Sequence, residues 1–236
     1  GLEVGLNFKN NSQAFKYNFN ANIATLANKV NKLDANLKSI ADDNQHVITI
    51  AGQPLNSYFG YVFDGIYQNT SEINRQLFAG VNGVQPGDIR FKDLNRDGKI
   101  DANDRTYVGK PKTKITYGLS FSCTYKNFDL SFLFQGVQGV DRYNDSKQIL
   151  NYDTRPFNST TAVLSAWTGE GTSNTTPRLS FNDVGGSKAS SIFVEDASYL
   201  RLKNIEIGYT FSKELMGIND LHLYVSSQNM LTFTKY

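Results

Sequence analysis

Six stretches of this chain alternate apolar and polar residues with a period of two. In the clearest stretch the apolar residues fall at odd numbers from Ile115 to Tyr125, and the polar or small residues fall at the even numbers. Successive side chains of a β-strand point to opposite faces of a sheet, so each stretch predicts a strand with one apolar and one polar face. The stretches cover residues 2–9, 15–23, 115–126, 128–135, 204–211 and 221–226, and the last continues toward Phe233.

The connections between these predicted strands are alternately short and long. Short polar turns join the first strand to the second, the third to the fourth and the fifth to the sixth, whereas residues 31–113 and 143–197 separate the other pairs. Outer-membrane barrels have short periplasmic turns, long extracellular loops and strands of about 9–11 residues that are apolar toward lipid. We therefore predict an all-β fold in which residues 1–236 form antiparallel, up-and-down strands of a transmembrane β-barrel. The predicted barrel segment is partial, with about six strands and two long extracellular loop insertions.

A soluble β-sandwich remains an alternative to the barrel. One face of each sheet in a sandwich packs on the core, which produces the same alternation of apolar and polar residues. A sandwich does not readily explain why both long insertions leave from the same side.

Residues 93–104 have the spacing of a calcium loop of the EF-hand type. Side-chain oxygens would come from Asp93, Asn95, Asp97, Asp101 and Asp104, and a carbonyl oxygen would come from Lys99. A hard divalent cation prefers several convergent oxygens, Gly98 would permit the sharp turn, and Ile100 would anchor the loop. The twelfth position is Asp rather than the usual Glu, and both flanks are β-like rather than helical. The alternative is an Asp/Asn-rich turn whose side chains bind their own backbone.

The rest of the first insertion contains a stretch with helical spacing and a group of aromatic residues. Leu33, Leu37 and Ile40 give residues 29–43 a mild helical spacing, and the β-like run at residues 47–50 follows. The aromatic residues singled out as ligand-binding candidates, including one in the second insertion, are Tyr58, Tyr61, Tyr67 and Trp167. Such rings can stack on a sugar or a peptide, but clustered aromatics more often pack a loop against its neighbours, and we favour packing.

The composition argues against several classes of function. A formal net charge of +2, dispersed along the chain, gives no reason to expect nucleic-acid binding, and the single Cys123 allows no internal disulfide. His46 and His222 lie far apart in the sequence and are interpreted as ordinary polar residues. No run of about 18 apolar residues predicts a transmembrane helix. No phosphate loop, nucleophile elbow or zinc pattern is present, so we predict that the protein is not an enzyme.

Several long motifs resemble the C-terminal half of SusC/RagA-type TonB-dependent outer-membrane transporters. In chain order, they are FGYVFDGIYQ, GDIRFKDLNRDGKIDANDRTYVGKP, KITYGLSFSCTYKNFDLSFLFQGVQG, SYLRLKNIEIGYTFS and LYVSSQNMLTFTKY. The resemblance covers nearly the whole chain, and the motifs occur in the order expected for the family.

The resemblance implies a nutrient import channel in the outer membrane. Such a channel has a large barrel with an internal plug, is energised through TonB by way of that N-terminal plug, and works with a SusD-like surface lipoprotein. Its cargo would be an oligosaccharide or a peptide, and the plug would lie outside this chain. The alternative function is a soluble, calcium-stabilised β binding module, either carbohydrate-binding or adhesive.

Overall fold

The computed structural model describes residues 1–12, 14–42, 46–75, 77–78, 83–152, 158–211 and 221–236. The chain divides into two compact units. The first, the sheet unit, consists of Gly1–Ala27, Lys112–Asp141 and Asp196–Tyr236. The second, the insertion unit, consists of Asn28–Pro111 and Arg142–Glu195, so parts of both long connections fold together.

The sheet unit is built on six long antiparallel strands that pair in the order of the sequence. The strands are β1 (Leu2–Asn11), β2 (Phe15–Thr25), β3 (Ile115–Tyr125), β4 (Phe128–Gln138), β5 (Tyr199–Phe211) and β6 (Leu221–Thr234). This arrangement confirms the predicted up-and-down topology, and the strands extend beyond several of the predicted ends.

Residues Lys126 and Asn127 alone connect β3 to β4, since Tyr125 pairs directly with Phe128. Lys126 has a φ of 55°, as the tight turn of a two-residue hairpin requires. The β1–β2 turn is described except for residue 13, and residues 212–220, which contain the predicted β5–β6 turn, lie outside the described residues.

The pairing register separates the side chains of the sheet into an apolar and a polar face. Directly paired residues point to the same side, so each row of partners across the strands belongs to one face. One apolar row consists of Leu6, Ala21, Leu119, Phe134, Leu202 and Leu231. The neighbouring polar row consists of Gly5, Asn22, Gly118, Gln135, Arg201 and Thr232. The alternation in the sequence therefore does produce two chemically distinct faces.

The apolar face is exposed along much of the sheet. Leu6 is 60% exposed, Ile207 is 55% exposed and Val225 is 79% exposed. Apolar patches of this extent on a folded protein indicate a membrane or a protein partner.

The insertion unit contains several short pairings around its own core. A four-stranded sheet has the order Arg105–Gly109, Ser57–Tyr61, Val47–Thr49, Ile40–Ala41. Phe63–Ile66 pairs with Ile89–Phe91, and Leu77–Phe78 pairs with Lys99–Ile100. Asp141–Tyr143 pairs with Val194–Asp196, and all residues of this pair except Asp141 and Asp196 belong to the insertion unit. The core consists of Tyr58, Ile66, Ile89, Phe91, Ile100, Tyr143, Tyr152 and Phe193.

Two short α-helices occur among the described residues, α1 (Thr70–Arg75) and α2 (Asp145–Asn151). Single 3₁₀ turns form at Ala102–Asp104, Thr161–Ser165 and Ser191–Phe193. In the described part of the chain, no helix has the length and apolar character needed to cross a membrane.

The helical spacing of residues 29–43 does not produce a helix. Residues 29–39 form no helix, although a single turn is closed by the Leu37 N–H donating to the Asp34 carbonyl oxygen at 2.9 Å. Ile40–Ala41 is a short strand, and Asp43 lies outside the described residues. Leu37 is 50% exposed and Ile40 is 53% exposed, so no apolar face is buried to stabilise a short helix. The β-like run that follows is confirmed by the strand Val47–Thr49.

Candidate functional site

The predicted calcium loop connects two β-strands of the insertion unit. Ile89–Phe91 precedes the loop and Arg105–Gly109 follows it, which confirms that neither flank is helical. Ile100 is fully buried in the core, so its predicted role as an anchor is also confirmed. Gly98 has a φ of 81°, a conformation that favours glycine.

The side-chain oxygens in the first half of the loop accept hydrogen bonds from nearby backbone N–H groups. The two carboxylate oxygens of Asp93 accept from the N–H of Arg96 at 2.6 Å and of Gly98 at 2.9 Å. Asn95 Oδ1 accepts from the Asp97 N–H at 3.0 Å, and Asp97 Oδ1 accepts from the Lys99 N–H at 2.9 Å. These bonds form a series of Asx-type turns.

Asp104 is completely buried and organises the end of the loop. Its Oδ1 accepts from the N–H of Leu94 at 2.8 Å and of Asn95 at 3.4 Å. Its Oδ2 accepts from the Asp101 N–H at 2.9 Å, while Asp101 Oδ1 accepts from the Asn103 N–H at 2.8 Å. Asp104 therefore holds both ends of the loop together through the backbone.

The donor set of residues 93–104 suits calcium in its chemistry, since carboxylate and amide oxygens are the ligands that calcium prefers. The described residues nevertheless contain no group of three or more His, Cys, Asp or Glu side chains arranged to hold a metal ion. In this arrangement the oxygens bind backbone N–H groups, and the Asn95 amide donates to Asp97 Oδ2 at 2.9 Å. Calcium binding by this loop stays a prediction.

The four aromatic candidates take part in the packing of the insertion unit. Tyr58 is 7% exposed and Tyr67 is 1% exposed, so neither ring offers a face to a ligand. The ring centroids of Tyr61 and Phe91 lie 5.1 Å apart, so Tyr61 packs on the core. Trp167 Nε1 donates to Gln68 Oε1 at 3.1 Å. Burial raises the pKa of Tyr67 to about 12, because the effect of burial is larger than that of the nearby Arg90 guanidinium, which lowers this pKa.

An ion pair that sequence reasoning missed joins the two halves of the insertion unit. Arg178 Nε donates to Asp88 Oδ1 at 2.8 Å, and Asp88 also accepts from the Gln85 N–H at 2.9 Å. Burial raises the pKa of Asp88 despite the hydrogen bonds from Gln85 and Arg178, which lower it. The two residues are 90 positions apart, and the only sequence signal was the Gly-Asp pair at positions 87–88 of a family motif.

The polar face of the sheet carries side-chain hydrogen bonds between strands. Asn7 of β1 donates to Asn20 of β2, whose own amide donates to Ser120 Oγ of β3 at 3.2 Å. These residues form a neutral, amide-rich part of the face.

Both histidines have partners that their sequence positions did not reveal. His222 of β6 lies 2.9 Å from the Asp129 carboxylate of β4 across Gly208 of β5. A Cβ on Gly208 would lie 2.4 Å from His222 Nε2, so this pairing requires a glycine there. In the insertion unit, His46 stacks on Tyr143 at 4.6 Å between ring centroids and pairs with Asp42 at 3.3 Å.

The six-stranded sheet, with an exposed apolar face and an opposite polar face, defines the chain as part of a β-barrel wall. Comparison with curated proteins gives the same result. Over 100% of its length, the chain is 31% identical to TonB-dependent receptor P3 and 27% identical to TonB-dependent receptor P26, both of Formosa agariphila. It is 25% identical, again over its whole length, to TonB-dependent receptor SusC of Bacteroides thetaiotaomicron. The chain spans about a quarter of the length of these relatives, namely 24%, 24% and 23%.

Solved structures show the same fold. The RagAB peptide importer in its open-open state matches 99% of this chain with a TM-score of 0.75 at 21% identity, and the chain covers 25% of the importer chain. The RagAB peptide transporter matches 99% of the chain with a TM-score of 0.73 at 22% identity, again over 25% of that chain. No family model matches the chain.

The chain belongs to the SusC/RagA family of TonB-dependent receptors, as its sequence motifs predicted. The family consists of outer-membrane proteins, and the outer membrane is the location of this chain. Its relatives are named as receptors and transporters rather than as enzymes.

Proposed function

We propose that this chain forms part of the wall and mouth of a nutrient import transporter in the outer membrane. The observation that carries the proposal is the six-stranded sheet, whose apolar face is exposed and whose polar face is lined by amides and hydroxyls. In a membrane the apolar face contacts lipid and the polar face lines the barrel interior. A barrel wall of this kind gives the chain a passive, non-catalytic role.

The names of the relatives support the finer parts of the proposal. The receptors P3 and SusC are named TonB-dependent, and RagAB is named a peptide importer. We infer that the complete protein is energised through TonB by way of a plug outside this chain. We infer further that it acts with a SusD-like surface lipoprotein. The cargo would be an oligosaccharide or a peptide, and nucleic acid is not expected to bind.

The two long insertions are proposed to lie outside the cell. Thr25 pairs with Ile115, and Val137 pairs with Tyr199, so both insertions leave and re-enter the sheet at the same end. The turn at Lys126–Asn127 lies at the opposite end, where it is too short to offer a binding surface. Long loops of outer-membrane barrels are extracellular, which makes these insertions the mouth of the channel and a contact surface for a lid or cargo.

Epitope tags in the complete receptor test this topology. Suitable sites are after Gly83, where a side chain would meet nothing within 4 Å, and after Phe181, which is 92% exposed. Asn82, beside the first site, lies outside the described residues. Insertion at Gly185–Gly186 is unsuitable, since a Cβ at Gly186 would lie 2.0 Å from the Tyr152 carbonyl oxygen.

We expect antibody to label the two insertion tags on intact cells. A matched tag between Asn11 and Ser12, in the β1–β2 turn, should be labelled only after the outer membrane is permeabilised. Labelling of the turn tag on intact cells, with silent insertion tags, would invert the topology and remove the basis for the transporter proposal.

Calcium is proposed as a structural ligand of residues 93–104. The oxygen-rich donor set and the β-strands on both sides support a role in holding the loop rather than in catalysis. The cation would take oxygens from Asp93, Asn95 and Asp97, and extracellular sites commonly bind calcium at about 10⁻⁴–10⁻³ M.

Calorimetric titration of the complete receptor with calcium tests this proposal. We expect Asp97→Ala to abolish the binding heat. The control is Asp34→Ala, because Asp34 also caps an exposed turn, accepting from the Asn36 N–H at 3.0 Å. Equal heats for the wild type and Asp97→Ala, or no heat for either, would contradict the proposal.

A further inference from the structure

Arg201 of β5 is a positively charged side chain on the polar face of the sheet. Its partners in the register are Gln135 of β4 and Thr232 of β6, and the same row continues through Gly118 to Asn22. The side chains that share this row with Arg201 are all uncharged. The position lies close to the start of β5 at Tyr199, which is the end of the sheet where the long insertions leave.

Two contacts hold the guanidinium of Arg201 in a defined orientation. Its Nε donates to Thr232 Oγ1 at 3.1 Å, and its Cζ lies 4.8 Å from the centroid of the Tyr199 ring. The first contact uses one edge of the guanidinium, and the second supports its plane. Among the described residues no carboxylate pairs with Arg201, and the terminal N–H groups remain available.

The acidic residues near this position are engaged elsewhere or distant. Glu206 lies on the same face of β5 but five residues along the strand, which corresponds to roughly 17 Å of extended chain. Asp196 accepts hydrogen bonds from the N–H and the hydroxyl of Ser198, at 3.0 Å and 2.5 Å. The oriented charge of Arg201 is therefore not neutralised by its surroundings in the described structure.

We propose that Arg201 binds carboxylate groups of an anionic cargo at the wall of the channel. A guanidinium presents parallel N–H donors in a planar fork that matches both oxygens of a carboxylate, and the pre-oriented fork loses little freedom on binding. The neighbouring Gln135 amide is exposed on the same row and can donate to the same ligand. The shared chemistry fits uronic acid units of an oligosaccharide and the carboxylates of an acidic peptide. This inference rests on the proposed transporter function, because that function makes the polar face the channel side.

Binding measurements on the complete receptor test the inference with two pairs of probes. The sugar pair is a hexagalacturonate and the neutral maltohexaose, and the peptide pair is a hexaglutamate and a hexaglutamine. We expect the wild type to prefer one or both acidic probes over their neutral counterparts, and the preferred pair identifies the source of the carboxylate. Arg201→Gln should weaken acidic-probe binding roughly tenfold and leave neutral-probe binding unchanged.

Two further variants separate a specific contact from a general effect of charge. Lys203→Gln removes the same charge from an exposed residue of the same strand and should bind like the wild type. Arg201→Lys keeps the charge without the fork and should recover only part of the affinity. Heat-modifiable migration on gels checks that every variant assembles as a barrel.

Three results would overturn the proposal. The first is a wild type that binds acidic and neutral probes equally or binds neither. The second is an equal loss of affinity in Lys203→Gln and Arg201→Gln, which indicates a net-charge effect. The third is that Arg201→Gln fails to assemble as a barrel while Arg201→Lys assembles and binds like the wild type. That result would mean that the charge of Arg201 pairs with an acidic group of the receptor itself rather than with cargo. Failure of the transporter proposal can be told apart from failure of this inference. The epitope tags report the topology and the binding measurements report carboxylate recognition, so an inverted tag pattern can occur together with intact carboxylate binding.

Discussion

Asp104 has a role in the structure that its position in the calcium-loop motif does not predict. By spacing, Asp104 is the last ligand of a calcium loop, but in the structure its buried carboxylate accepts from three backbone N–H groups. These three hydrogen bonds are part-buried, and a polar group that loses its partner away from water costs about 1–3 kcal/mol, so Asp104 stabilises the loop with or without a cation. By contrast Asp97 is exposed and accepts from one nearby backbone N–H group.

Asp104→Ala should open the loop even when calcium is removed by chelation. We expect the loss of these three part-buried hydrogen bonds to destabilise the loop by about 2 kcal/mol. Trypsin cleavage after Arg96 or Lys99 in the complete receptor, mapped by mass spectrometry, measures this opening. Asp97→Ala is the matched control and should be cleaved at nearly the wild-type rate under the same chelated conditions. Equal cleavage of the two variants would contradict the separate roles proposed here, in which Asp104 organises the backbone and Asp97 binds the cation.

At the scale of the strand, pairing converts a pattern in the sequence into a surface. Leu119 lies between Ala21 and Phe134 on the apolar face, whereas the next residue, Ser120, lies on the polar face and accepts from Asn20 Nδ2. Leu133 breaks the alternation of β4, yet it pairs with Ser120 and Asn204 and stays on the polar face, 38% exposed. The β3–β4 register continues unbroken through Leu133, whereas the β4–β5 pairing has an irregularity between Leu133 and Phe134 that skips Lys203. A one-residue slip of β4 itself would move all of its side chains to the opposite face, so a single apolar exception does not reverse the faces.

Leu119→Lys in the complete receptor should reduce the amount of assembled barrel far more than Ser120→Lys. A lysine facing lipid at the bilayer midplane costs about 2–4 kcal/mol, whereas a lysine on the interior face remains in a polar environment. The assembled fraction is measured by heat-modifiable migration and by surface labelling. Similar losses in the two variants would contradict the assignment of the faces.

At the scale of the whole molecule, the sheet has two strand edges, on β1 and β6, in addition to its exposed apolar face. Unpaired strand edges and large apolar surfaces both promote association in water. A soluble binding module of the same sequence would need to cover these surfaces, whereas a barrel covers them with lipid and neighbouring strands.

The 236-residue chain expressed by itself should therefore associate in buffer without detergent. We expect size-exclusion chromatography to show large assemblies that a mild detergent disperses. A control with Val4, Leu6 and Phe8 changed together to Thr should associate less, since these side chains are 53%, 60% and 55% exposed on the apolar face. A folded monomer in plain buffer would favour the soluble binding module instead.

The sequence by itself determined the strands and their faces. Period-two alternation is a local signal, because the pleat of a strand sends neighbouring side chains to opposite sides regardless of the rest of the fold. Local signals also predicted the tight turn near Asn127 and the β-like flanks of residues 93–104, and the spacing of the calcium-type loop predicted the apolar anchor Ile100. The mild helical spacing of residues 29–43 misled because its apolar residues found no surface to pack against, which spacing alone cannot reveal.

Only the tertiary structure decided which distant residues meet. Asp88 and Arg178 are 90 positions apart and Asp129 and His222 are 93 apart, and no local pattern relates either pair. The orientation of Arg201 likewise depends on Thr232, which the β5–β6 register brings beside it. Contacts of this kind arise when strand register and chain folding bring remote side chains together. The sequence therefore shows which side chains can form such contacts, but only the tertiary structure shows which of them form a pair.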